Sequence, residues 1–350
     1  MFLFSSRYAV FLDISSPEFK RLKILAFASQ DGCARLVFQG RPPYQIWNTP
    51  TPPGLYFCQA NPAHPEACQT MYATEMDRIT GLTFFFMSSR LWSLHVHHSG
   101  EPSAQNTFIQ SFANRLRSRA VWIYLPVAKR DRVLLIGIRE GPEPWCRCIV
   151  VRTELAGDVS IGEATDGPFR DYVLGASAPL TLIHGDPKPS IPVRFLGVYC
   201  RISADPAGDL PQPPRLPLPS KNPIGEDAYL SWAPLGGVSS VEVFYDESDE
   251  TCRGILLHYQ HGGARSLGQC RIHVDPTRIV MGPARVCFKL ESKPARYNRV
   301  VLKARVKFQE TFLTDGGNGE LGDGSWKSHK MEGIIKFWFT WESCFIEVEN

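Results

Sequence analysis

Along most of the chain, apolar and polar positions alternate in short runs with period two rather than recurring every three to four residues. Before residue 200 the runs Ile79 to Met87, Leu91 to His97, Val121 to Leu125, Val133 to Ile138 and Cys148 to Leu155 have strand lengths and are rich in β-branched and aromatic side chains. Turn chemistry punctuates them at Ser99-Gly100, Gly141-Pro142, Gly157-Asp158, Asp166-Gly167-Pro168 and Gly185-Asp186-Pro187. One stretch breaks the rule: Phe108, Ile109, Phe112 and Leu116 recur at helical spacing and predict a helix within Ser103 to Arg117. Near the start, Ser15-Ser16-Pro17-Glu18 reads as a helix-capping signal, while Lys23 to Phe27 could equally open a strand.

Seven prolines between Pro206 and Pro223 interrupt the pattern by removing backbone donors and favouring extended polyproline conformation. Residues 205–230 are therefore expected to be a linker, with an undetermined segment 1–60 and a first module 61–204 before it. Its P-x-x-P spacings at Pro211/Pro214 and Pro214/Pro217 place Arg215 inside the spacing, so a passive spacer is the simpler reading than an SH3-type ligand. After it, alternation resumes at Val238 to Tyr245 and Gly254 to Tyr259, a hairpin across the acidic turn Asp246 to Glu250. Arg265 to Val274, Ala284 to Leu290, Val300 to Phe308, Gly333 to Phe339 and Cys344 to Val348 continue it, so a second all-β module over 231–350 is expected.

Composition narrows the functional classes. A net charge of +3 from 38 basic and 35 acidic residues is no electrostatic footprint for nucleic acid. No run approaches the roughly 18 uninterrupted apolar residues of a membrane-spanning helix, and Arg7 and Asp13 break the apolar opening before it resembles a secretion signal. The ten cysteines sit singly, mostly inside apolar runs, and no N-x-S/T glycosylation acceptor is present. A soluble chain of the reducing cytoplasm is the expectation, with neither membrane nor nucleic acid among its partners.

Motifs for chemistry are sparse. His95 and His97 would share one face of a strand and could give two imidazoles to a metal, but a third ligand is not evident, so no metal is expected. Cys146-x-Cys148 lacks a second pair at finger-like spacing. Gly317-x-Gly319-x-x-Gly322 matches a dinucleotide fingerprint in letters, yet a glycine-rich loop rather than a helix follows it, and no cofactor is expected. Neither G-x-S-x-G, H-E-x-x-H nor a P-loop occurs. Carboxylate pairs such as Asp158 with Glu163, or Asp166 with Asp171, keep a glycan hydrolase open as the alternative to a binding protein. Trp145, between Pro144 and Cys146 after a glycine-proline turn, is the candidate exposed stacking platform.

Val133-Leu134-Leu135-Ile136-Gly137-Ile138, then Ile149 to Thr153, then Gly167-Pro168-Phe169 resemble a succession of strands and a G-P-F/Y turn found in the jacalin-like lectins. Leu182-Ile183-His184-Gly185 followed by Leu196-Gly197-Val198-Tyr199 is similar to that family's closing hairpin, and the resemblance covers residues 79 to 202. It implies a β-prism-like first module and sugar bound by a G-x-x-x-D loop in that hairpin. Gly185 and Asp186 open the corresponding loop, but Ser190 stands where the motif glycine would fall and Arg194 where its aspartate would. Arginine accepts no hydrogen bond and cannot replace that carboxylate. Separate stretches, including Val121 to Pro126, Gly254 to Leu257 and Met331 to Phe339, resemble segments of uncharacterised proteins of filamentous fungi, which imply no activity. The expectation is a mainly β, non-enzymatic binding or scaffold protein with carbohydrate or another protein as ligand, contacted through Trp145, Asp166, Gly185, Asp186, Ser190 and Arg194. The residues leave its oligomeric state open.

Overall fold

A computed structural model describes the side chains of residues 48–49, 71–100, 103–141, 148–163, 169–176, 178–185, 191–193, 195–200, 221–224, 228–295, 299–310 and 326–349. It is mainly β. The strands before the helical stretch are β1 (Phe2–Phe4), β2 (Ala9–Phe11), β3 (Ile24–Gln30), β4 (Cys33–Phe38), β5 (Ile46–Trp47), β6 (Gln59–Ala60), β7 (Thr70–Glu75), β8 (Gly81–Met87) and β9 (Arg90–His97). The helices α1 (Gln105–Ser111) and α2 (Asn114–Arg117) follow. Then come β10 (Val121–Pro126), β11 (Val133–Glu140), β12 (Arg147–Thr153), β13 (Gly157–Gly162), β14 (Arg170–Ala176), β15 (Leu180–Gly185) and β16 (Leu196–Cys200). Beyond the proline-rich stretch lie β17 (Tyr229–Pro234), β18 (Val238–Tyr245), β19 (Cys252–Tyr259), β20 (Ala264–Gly268), β21 (Thr277–Met281), β22 (Pro283–Pro294), β23 (Val300–Glu310), β24 (Lys327–Lys330), β25 (Ile334–Phe339) and β26 (Cys344–Glu349).

Pairing is antiparallel apart from the short β5–β7 contact. In the first half the sheets run β10-β8-β9, β13-β12-β11-β14 and β5-β7-β15-β16-β6. In the second they run β17-β25-β26, β20-β19-β18-β21 and β23-β22-β24. The expected alternation holds where one face meets the core: on β18, Val238, Val241 and Val243 are buried and Ser240 and Glu242 are not. One apolar core includes Leu82, Phe84 and Ile136 from the first half and Val241, Leu257, Phe288 and Phe337 from the second. Tyr229 carries the contact across, with its ring 5.6 Å from Phe86 and 5.7 Å from Phe339, while its backbone bridges Glu163.

Four local expectations change. The helix over Ser103 to Arg117 is two short helices, because Phe112 turns to an extended conformation and is buried against Phe85 and Trp92. Burying that ring offsets the lost helical hydrogen bonds. The strand expected over Arg265 to Val274 ends at Gly268, which adopts φ +66, and a Cβ there would lie 2.5 Å from the Arg253 carbonyl and 2.9 Å from the Phe337 ring. Only glycine suits that turn. Gly157-Asp158 is the start of β13 rather than a turn, since every residue from Gly157 to Gly162 pairs with β12. Tyr229 and Leu230, assigned to the linker, begin β17. At the N-terminus β3 agrees with the strand alternative at Lys23 to Phe27, while Ser15 to Glu18, residues 201–220 and the glycine-rich 311–325 lie outside the described residues.

Candidate functional site

Strand register determines which connections meet at one end of the β13-β12-β11-β14 sheet. Glu140 lies opposite both Arg147 and Arg170, and Cys148 opposite Gly162. The 141–146 connection, carrying Trp145, and the 163–169 connection, carrying Asp166, therefore leave the sheet at the same end. Trp145 and Asp166 themselves lie outside the described residues, as do Asp186, Ser190 and Arg194 of the lectin-type loop. Gly185 is described: it ends β15, and its N–H donates to the Phe195 carbonyl at 3.1 Å. That is a hairpin-closing role. Beyond it, the Val193 N–H donates to the Leu91 carbonyl at 2.8 Å, which sets the far side of the 186–194 loop against β9.

At the sheet end, Arg139 on β11 lies directly opposite Asp171 on β14. Its guanidinium donates to both carboxylate oxygens at 2.7 Å, and the hydrogen bond to Asp171 raises the guanidinium pKa further. The ring of Phe169 lies 3.8 Å from the Arg139 guanidinium carbon, yet Phe169 is 46% exposed. The result is an aromatic side chain backed by a fixed cation and open to solvent. Phe169 was quoted in the sequence only as part of a turn. The signal that could have found it is its place between a proline turn and a strand, where an aromatic residue has no core to enter.

Of the carboxylates considered for hydrolysis, Asp158 and Asp171 have structural partners, and Asp166 lies outside the described residues. Asp158 lies opposite Arg152 in register and receives hydrogen bonds from it at 2.6 and 3.1 Å. Asp171 is held by Arg139 as described. Directly opposed charges of this kind stabilise strand pairing, and a guanidinium fork occupies the lone pairs that catalysis would use.

The histidine pair is adjacent as its spacing required, with ring centroids 4.7 Å apart. His97 Nε2 shares a 2.7 Å hydrogen bond with the Thr83 hydroxyl, His95 Nδ1 one of 2.8 Å with Thr107, and His98 Nδ1 donates to the Arg78 carbonyl at 3.1 Å. Burial, reinforced by repulsion from His95, His273 and His98, lowers the His97 pKa to about 3. Among the described residues no three His, Cys, Asp or Glu side chains converge as a metal site. The Cys148 thiol is buried and pushed up to about 12 by desolvation, so it is inert as a nucleophile; Cys146 lies outside the described residues.

Between the halves, polar groups are consumed by packing. Arg265, 7% exposed, donates from Nε to the Ala156 carbonyl at 2.8 Å, from Nη2 to the Asp158 carbonyl at 2.8 Å and from Nη1 to the Trp232 carbonyl at 3.3 Å. Gln269 accepts from the Trp122 N–H at 3.1 Å and donates to the Thr340 carbonyl at 3.1 Å. A void of only about 10 Å³ remains there, beside Tyr124, Ser160, Trp232 and Arg265. Neither the protein-family models nor the curated proteins give a match to this chain. Among the described residues no helix is long and apolar enough to cross a membrane.

Proposed function

We propose that this chain is a non-enzymatic binding protein with a β-prism-like first half, recognising carbohydrate at the end of the β13-β12-β11-β14 sheet where Phe169 lies over Arg139. The observation that carries this reading is the half-exposed Phe169 ring held on the Asp171-bound Arg139. A ring fixed before the ligand arrives loses little conformational freedom on binding, and its open face suits the C–H face of a sugar. Sheets of three, four and five strands in the first half, antiparallel apart from the β5–β7 pair, support the prism reading.

The test is a glycan-array screen of the full chain, with bound sugars retested by calorimetry on wild type and Phe169→Ala. The expected result is saturable binding of one sugar class that falls about two- to tenfold in Phe169→Ala, since one stacked ring contributes roughly 0.5–1.5 kcal/mol. No sugar bound, or binding unchanged in Phe169→Ala, would remove this site from consideration. Slow release of reducing sugar from the retained glycans would favour the hydrolase alternative.

A further inference from the structure

An arginine stands three residues before a serine at two places in the chain, Arg90-Leu91-Trp92-Ser93 and Arg115-Leu116-Arg117-Ser118. Arginine-directed protein kinases read guanidinium groups at such spacing through acidic pockets of their own, so in sequence the two serines are equivalent. The fold separates them. Ser93 lies on β9, is 0% exposed, and its hydroxyl accepts from the Ser111 hydroxyl at 2.9 Å. Ser118 is exposed and ends α2, just before β10.

The turn that carries Ser118 is lightly held. α2 is four residues long and buries none of them. Its backbone bonds include Leu116 N–H to the Ala113 carbonyl at 2.8 Å and Arg119 N–H to the Leu116 carbonyl at 3.0 Å. A kinase must lift the hydroxyl and its neighbours into its own cleft, and a single turn with no buried side chain opens at low cost. The three arginines around Ser118 divide the work. Arg117 donates from Nη2 to the Ile109 carbonyl at 2.7 Å and from Nε to the Phe112 carbonyl at 3.0 Å, which satisfies carbonyls at the end of α1. Arg115 and Arg119, four residues apart and both exposed, flank the serine on either side.

From this exposed hydroxyl on a lightly held turn inside an arginine cluster, we propose that Ser118 is a phosphorylation site for an arginine-directed serine kinase, and that Arg115 and Arg119 hold the phosphate once it is attached. Ser118 Oγ attacks the γ-phosphorus of Mg²⁺-bound ATP; the new P–O bond forms as the bond to the β–γ bridging oxygen breaks, ADP leaves, and the hydroxyl proton passes to the kinase's catalytic aspartate. The phosphate brings a charge of about −1.5 to −2 between two guanidinium groups that can each donate to its oxygens. The proposal uses no residue of the sugar surface at Phe169.

The full-length folded chain is incubated with Mg²⁺, ATP and an arginine-directed serine kinase, and the phosphate is located by peptide mass spectrometry. Ser118 should take up one phosphoryl group, Ser93 none, and Ser118→Ala should lose it. Arg115→Gln should slow incorporation at least roughly tenfold, the factor set by losing one charge-assisted hydrogen bond to the kinase. In ³¹P NMR the phosphate of the wild-type chain should titrate below the about 6 of free phosphoserine, and Arg119→Gln should bring it back toward that value. No phosphate on Ser118, phosphate on Ser93 of the folded chain, equal incorporation in Arg115→Gln, or a phosphate that titrates alike in wild type and Arg119→Gln would overturn the proposal.

Discussion

Replacing Arg265 with methionine tests whether the two halves are locked by a buried cation that, among the described residues, has no acidic partner in direct contact. Methionine keeps most of the aliphatic stem and deletes every N–H, so the Ala156, Asp158 and Trp232 carbonyls each lose a donor. At about 1–3 kcal/mol for the buried Ala156 acceptor left unsatisfied, and less for each of the part-buried Asp158 and Trp232 carbonyls, the predicted cost is about 2–5 kcal/mol. Part returns, because a guanidinium whose pKa is lowered chiefly by desolvation is itself costly to bury. The net expectation is a destabilisation of about 2–4 kcal/mol. With a urea slope of about 3 kcal/mol/M, the midpoint should fall by roughly 1 M, read from tryptophan fluorescence at neutral pH. Arg265→Lys retains charge but not the fork that reaches three carbonyls, and should recover less than half of the loss. A methionine variant within about 0.5 kcal/mol of wild type, or more stable, would refute the reasoning and show that the packed stem rather than the hydrogen bonds carries the contact.

Further outcomes follow from the same structure. Burial lowers the His97 pKa to about 3 and that of His184 to about 4, against 6.5 when unfolded, so the unfolded chain binds more protons below pH 6.5 and stability declines from there toward pH 3–4. At pH 5 each contributes a loss of about 2 kcal/mol; His97→Asn with His184→Asn should flatten the denaturation midpoint between pH 7 and 5, and an unchanged slope would show that other groups govern it. Asp131, 7% exposed, accepts from the Thr153 hydroxyl at 2.9 Å and from the Arg132 and Leu155 N–H groups at 2.8 Å. Asp131→Ala should cost about 3 kcal/mol in urea unfolding, and a loss under about 1 kcal/mol would contradict that network. Gly268→Ala meets both a left-handed φ and the Phe337 ring, so its melting temperature should drop by several degrees, by a cost of about 2 kcal/mol or more. No change would place the turn elsewhere.

Period-two alternation was enough to find β18, which has one face in the core, and continuous apolar runs found β19 and β25, which are buried on both faces. Placing cysteines in apolar runs likewise anticipated buried thiols at Cys148, Cys252, Cys270, Cys287 and Cys344. β13 and β21 escaped detection. The first opens with turn-like Gly157-Asp158 and keeps its first four residues half-buried, and the second leaves four of its five residues exposed, so the core residues Ile161 and Val280 are too few to write an alternation. Their conformation comes from the ladder partner, β12 or β18, which local sequence does not encode.

The candidate sites divide in the same way. Gly167-Pro168-Phe169 was visible as a turn, but the Arg139 and Asp171 that fix Phe169 are 32 residues apart, and only register makes them neighbours. Asp158 and Asp171, which look available along the chain, face Arg152 and Arg139, because a charge on a strand is answered by whatever stands opposite. The small cavity beside Val243, Val280, Cys287 and Phe308 has no linear trace at all, since its wall is built from four strands of two sheets. The sequence by itself determined where strands with a core face run and which residue types could carry chemistry. Tertiary structure decided which of those residues meet, because pairing across sheets depends on partners that no local period specifies.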